Sequence, residues 1–152
     1  MRWVLTPYRR YFDFTGRSIR TEFWTFLPLW LAVLWSLRTV DSQLLLMDNG
    51  PLRGVFIFVT LVPALAVTVR RLHDANRTGW WVLLPFTAIF LALIAIPLGA
   101  ETHDVMSLAI GVSVFLGPLA LLVLLAWKGT RGPNRFGADP RNPDADLEAV
   151  FS

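Results

Sequence analysis

Cysteine is absent from this chain, which excludes disulfides, thiolate catalysis, zinc fingers and iron–sulfur clusters. Histidine is nearly as scarce. Only His73 and His103 occur, and an antiparallel helical bundle would put them at opposite membrane faces, so no convergent metal site is expected. Charge is thin, at 16% of residues. No small-residue cleavage site follows the first apolar run, so no cleaved signal peptide is expected. The glycine-rich stretch near the C-terminus lacks the Lys-Ser/Thr pair of a phosphate-binding loop and precedes no strand–helix unit. No cofactor is implied.

What the chain has in excess is apolar residues, 55% of the total with a mean hydropathy of +0.53, and they come in long runs that need a lipid-like solvent. Four runs can be cut, from Phe23 to Leu37, Leu52 to Val69, Trp80 to Leu98 and Val105 to Trp127. The first covers only about 22 Å of a roughly 30 Å hydrocarbon core, so its helix should extend into flanking residues. Ser18 is a candidate N-cap, and Leu44 to Met47 could prolong the helix past Arg38 and Asp41, whose side chains would then snorkel. Asn49-Gly50-Pro51 forces a turn. Pro28, Pro63, Pro85 and Pro118 fall one in each run, which lipid-embedded helices tolerate as kinks. Ser107/Gly111 and Ser113/Gly117 repeat at four-residue spacing, favouring close packing within the bundle over a homo-oligomer contact.

Orientation follows from the basic residues. Arg2, Arg9, Arg10, Arg17 and Arg20 precede the first run, Arg70, Arg71 and Arg77 lie between the second and third, and Lys128, Arg131, Arg135 and Arg141 follow the fourth. Twelve of fourteen thus lie on one side, which the positive-inside rule makes cytoplasmic. The expected fold is an all-α integral membrane protein of the bacterial inner membrane, with four spans at about residues 21–40, 52–70, 80–98 and 105–127 and both termini cytoplasmic. Residues 1–140 would form one transmembrane domain and 141–152 a polar tail that includes the acidic stretch Asp144 to Glu148. Trp3, Val4, Leu5, Tyr8, Tyr11 and Phe12 among Arg2, Arg9 and Arg10 suit a short interfacial segment, where Pro7 limits any helix.

Three polar stretches stand on the expected cytoplasmic face, from Phe14 to Trp24, Arg70 to Trp81 and Lys128 to Pro140, and they contain the elements GRSIRTEFW, RRLHDANRTGWW and GPNRFGADP. They supply the candidate site residues Gly16, Arg17, Arg20, Glu22, Arg71, His73, Asp74, Arg77, Gly79, Asn134, Arg135 and Gly137. Arg17, Arg20, Arg71 and Arg77 can pair with Glu22, Asp74 and Asp139, either as a clamp that fixes the helix ends or, with backbone N–H groups near Gly16, Gly132 and Gly137, as a pocket for an anionic phospholipid headgroup. For His73 the expected role is a ring bonded to a backbone carbonyl or carboxylate. A Ser18–His73–Asp74 triad fails, because adjacent residues on one helix point about 100° apart. The basic residues sit beside apolar runs, which makes the membrane surface and not nucleic acid the anion at hand.

Together and in this order, the three elements resemble the YhaH-type small inner-membrane proteins, catalogued as domain of unknown function 805, over Tyr11 to about Pro140. The resemblance implies the fold and the location and carries no activity. Ala75 and Asn76 depart mildly, standing where that family commonly has a more flexible turn, and the acidic tail is an addition. The reading that results is a non-enzymatic accessory, scaffold or anion-binding module with lipid, and a membrane-protein partner or second copy, as candidate partners. A small transporter or channel subunit is the alternative, weakened by the lack of ionisable groups near mid-span, and a membrane-embedded enzyme is the third.

Overall fold

The computed structural model describes residues 2–45, 50–98 and 103–142. Helix α1 (Arg2–Arg9) leads into α2 (Arg20–Leu44) and α3 (Pro51–Asp74), followed by a 3₁₀ segment (Gly79–Phe86) that continues into α4 (Thr87–Leu98), and then α5 (His103–Ala126). Three of these, α2, α3 and α5, are long and apolar enough to cross a membrane, whereas Gly79–Ile94 is a shorter apolar stretch. Large apolar side chains point outward from them, with Trp35 72%, Phe58 81% and Phe115 76% exposed. Such a surface would collapse in water and is at rest in hydrocarbon.

Packing concentrates at one end of the bundle. Phe23 and Phe26 at the start of α2, Val67 and Leu72 near the end of α3, and Leu125 at the end of α5 form the buried core, with Leu27, Trp30 and Val82 against it. Deeper in, the Trp30 indole donates to the Thr60 hydroxyl at 2.8 Å, tying α2 to α3. α5 closes on the 3₁₀ segment and α4. Gly117 permits that contact, because a Cβ there would lie 2.2 Å from the Leu84 carbonyl oxygen. Of the two small-residue steps, Gly117 therefore packs within the bundle, while Gly111 faces open space.

Several local expectations are corrected. Ser18 does not cap α2: Ile19 is the N-cap residue, without a side-chain cap bond, and the Ser18 hydroxyl is buried without a hydrogen-bond partner among the described residues. Asp41 does not snorkel. It is 1% exposed and accepts from the backbone N–H groups of Leu52 (3.3 Å) and Arg53 (3.0 Å), so that a side chain of α2 caps the start of α3. Pro7 lies inside α1 and is buried, and α1 packs on α2 and α3, with Tyr8 edge-on to Phe26 at 5.8 Å. The third apolar run begins as 3₁₀ and not α-helix. Expectations that rest on Met47, Asp48, Asn49, Glu101 and the stretch Asp144 to Glu148 lie outside the described residues.

Candidate functional site

α3 ends in a Schellman turn. The Arg77 N–H donates to the Leu72 carbonyl at 2.9 Å and the Asn76 N–H to the His73 carbonyl at 3.0 Å, with Asn76 left-handed at φ 56°. This sharp stop leaves Arg70, Arg71 and Asp74 buried directly over the core.

Asp74 is the hub. Its carboxylate receives Arg71 from the same helix at 2.6 Å, Arg17 from the segment before α2 at 2.9 Å, and Arg141 from beyond α5 at 2.7 Å. Arg17 extends the links with donations to the carbonyls of Thr130 (2.5 Å) and Gly132 (2.6 Å). Thr130 returns its N–H to the Asp74 carbonyl at 2.8 Å. Three guanidinium groups around one buried carboxylate compensate its desolvation, and removing that carboxylate would strand all three.

A second pair lies alongside, Arg70 with Glu22 at 3.3 Å, both buried. Arg70 also donates to the Asp13 carbonyl and, at 3.3 Å, to that of Arg10, while its own carbonyl accepts from the Ser18 N–H at 3.0 Å. The last turn of α5 carries no basic residue, so its carbonyls are capped from outside. Arg71 donates to Leu125 at 2.9 Å and to Trp127, and Arg20 to Trp127 at 3.1 Å and to Ala126. Carbonyls left free at the edge of lipid would each be costly, and cations at a helix C-terminus are favourable besides.

The Gly132–Pro140 loop docks on this hub through its own sequence. The Asn134 side-chain amide donates to the His73 carbonyl at 3.0 Å, its oxygen accepts from the Phe136 N–H at 2.9 Å, and Gly132 and Gly137 supply left-handed turns at φ 73° and 132°. Phe136 stacks on the His73 ring at 3.9 Å, whose Nδ1 meets the Gly16 carbonyl at 3.2 Å. Burial pushes the Asp139 carboxyl up, but the N–H groups of Arg141 and Gly132 and the charges of Arg141 and Arg17 outweigh it, so its pKa falls below the ordinary value. The hydrogen bond to Asp74, with the charges of both acids, raises the Arg141 pKa.

Of the sequence-derived candidates, Gly16, Arg17, Arg71, His73, Asp74, Asn134 and Gly137 converge here. Arg20 joins through carbonyls and Glu22 through Arg70. Arg77 pairs with no acid among the described residues and lies over the Trp81 ring at 5.7 Å. Gly79 sits against Val69, and Arg135 bonds the Asn76 carbonyl at 3.2 Å on the rim. The N–H groups of Gly132 and Gly137 are not free for an anion, since they donate to Asp139 and to the Asn134 carbonyl, each at 3.0 Å. Arg70 and Thr130 lay inside the polar stretches without being chosen as site residues, and Arg141, counted only among the basic residues after the fourth run, binds the hub from within the stretch assigned to the tail.

Apolar helices of membrane length, tied at one end by buried arginine–carboxylate pairs, define an integral membrane protein. The chain belongs to the family described as protein of unknown function (DUF805), which matches residues 11–138. It is 33% identical over 141 residues to the inner membrane protein YhaI of Escherichia coli K12, covering 93% of this chain and 97% of that relative. To the inner membrane protein YhaH of the same strain it is 32% identical over 144 residues, 93% and 98% of the two chains. To the uncharacterized protein YiiR, also of that strain, it is 35% identical over 134 residues, 86% and 88%. No solved structure matches the chain.

Proposed function

We propose that this chain is a four-span inner-membrane protein with both termini cytoplasmic, acting as a non-enzymatic accessory module that presents a rigid cationic platform to anionic phospholipid headgroups. Twelve of fourteen basic residues on one side support the orientation. The 3₁₀ segment supports the fourth span: at about 2.0 Å per residue over Gly79–Phe86, then about 1.5 Å per residue over Thr87–Leu98, the run reaches roughly 34 Å, enough for the hydrocarbon core.

The observation that carries the functional reading is the division of labour among the arginines at this end. Arg17, Arg70 and Arg71 are buried and spent on Asp74, Glu22 and backbone carbonyls, which holds the surrounding loops in place. Cations outside that core, such as Lys128, Arg131 and Arg135, are left facing out at the depth where the spans end. Fixed positive charge beside a lipid boundary fits an anionic headgroup better than a soluble substrate. The test is purification from native membranes with lipid identified by mass spectrometry. Enrichment of anionic phospholipid over phosphatidylethanolamine, relative to a membrane protein of similar charge, is expected, and equal recovery by the two proteins refutes the reading.

A further inference from the structure

Beside the hub, where α5 ends and α2 begins, lies an open concavity of about 250 Å³ lined by Arg20, Lys128, Gly129, Arg131 and Arg141. Four of its five lining residues are cations and none is an acid. Two of the four are held in place: Arg20 by the Ala126 and Trp127 carbonyls, and Arg141 by Asp74 and Asp139 at 2.7 and 3.1 Å. The other two, Lys128 and Arg131, are exposed and form no hydrogen bond or ion pair among the described residues. The wall behind is not neutral, because Arg17, Arg71 and Arg141 there face only Asp74 and Asp139. Gly129 brings the lining directly against the hub, since a Cβ on it would meet Asp74 Oδ2 at 1.9 Å and Arg141 Nη2 at 2.5 Å. The neighbouring Trp127 is 64% exposed, as a ring at the headgroup boundary is.

We infer that this concavity is a phosphate site, occupied by the phosphate of an anionic phospholipid, with Arg131 offering a guanidinium fork and Lys128 a mobile point charge. This rests on the headgroup reading above and narrows it to one place. Anchored cations beside uncommitted ones suit a ligand that enters laterally from the leaflet. The sequence holds one competitor, the acidic run Asp144, Asp146 and Glu148.

The experiment is native mass spectrometry of the full chain in detergent with added phosphatidylglycerol, with millimolar inorganic phosphate as a second probe. Lys128→Ala/Arg131→Ala is expected to weaken phosphatidylglycerol retention about thirtyfold, the loss anticipated for two cations at a membrane surface. Arg9→Ala/Arg77→Ala removes the same charge from exposed positions that do not line the concavity and should leave retention within about twofold. Unchanged melting of both variants shows that neither effect is unfolding. Retention that inorganic phosphate does not displace identifies the lipid as the source, and full displacement identifies free phosphate at the same site. Equal loss in the two double variants refutes the site while leaving the headgroup reading intact, and no retention by the wild type removes both. If phosphatidylglycerol binds only after Asp144→Asn/Asp146→Asn/Glu148→Gln, the concavity holds the chain's own tail and the lipid assignment falls.

Discussion

Asp74 and Arg141 stand 67 positions apart in sequence, and their carboxylate and guanidinium meet at 2.7 Å. With Arg17 and Arg71 on the same carboxylate, Asp74→Ala leaves three cations without their shared acid. We expect a loss on the order of 3–5 kcal/mol in detergent, read as a large drop in melting temperature. A melting temperature within error of the wild type would mean that the carboxylate is dispensable to the fold.

The absence of cysteine makes orientation directly measurable. Single cysteines at Thr15, Asn76 and Asn142 should be shielded from an impermeant thiol reagent in intact spheroplasts, and ones at Asn49 and Thr102 should react. Labelling of Asn76 with silence at Asn49 would invert the assignment, and opposite results for Thr15 and Asn142 would make the number of spans odd.

Two glycines of α5 should differ sharply. Gly117→Ala places a methyl against the Leu84 carbonyl, whereas Gly111→Ala meets nothing within 4 Å. Overpacking of this kind costs roughly 1–3 kcal/mol, so thermal denaturation should separate the two variants, with Gly111→Ala at or above the wild type. Equal melting would show that α5 does not press on the 3₁₀ segment.

Acid should loosen the segment that leads into α2. The Asp13 pKa is lowered from 3.8 to about 2, first by the hydrogen bond from the Thr15 hydroxyl and further by Arg10 and the Thr15 N–H, against the opposing effect of burial. A carboxylate whose folded pKa is depressed stabilises above its unfolded value and loses that contribution as pH falls through the folded one. Stability should therefore decline between about pH 4 and pH 2, with Asp139, also lowered, adding to the slope. Asp13→Asn should flatten part of that decline in pH-dependent melting, and an identical profile would show that Asp13 contributes none of it.

Three long apolar helices were legible because lipid demands an unbroken apolar run, and α2, α3 and α5 lie close to where hydropathy put them. The membership of the hub was legible in outline, since polar stretches at the ends of neighbouring apolar helices have little choice but to meet. Which arginine meets which acid was not. Arg70 and Arg71 are neighbours pointing about 100° apart on a helix, so one turns to Glu22 and the other to Asp74, a choice set by what packs on each side. Asp41 shows the same limit, because capping α3 depends on how α2 and α3 pack together and not on sequence spacing. The one available signal was an acid close before Gly50-Pro51, where a helix start needs an acceptor.

The loop that carries Arg141 to Asp74 comes after α5, the last of the described helices. Synthesis runs from the N-terminus, so α2 and α3 are made while Asp74 has only Arg17 and Arg71 within its reach, and the Thr130 bond that holds the end of α3 is still missing. The last link is fastened only when α5 has been laid in and the chain folds back over the bundle. The hub is thus a latch set once α5 is in place, and a chain stalled before that step carries a recognisable mark: a buried carboxylate with one of its three cations absent.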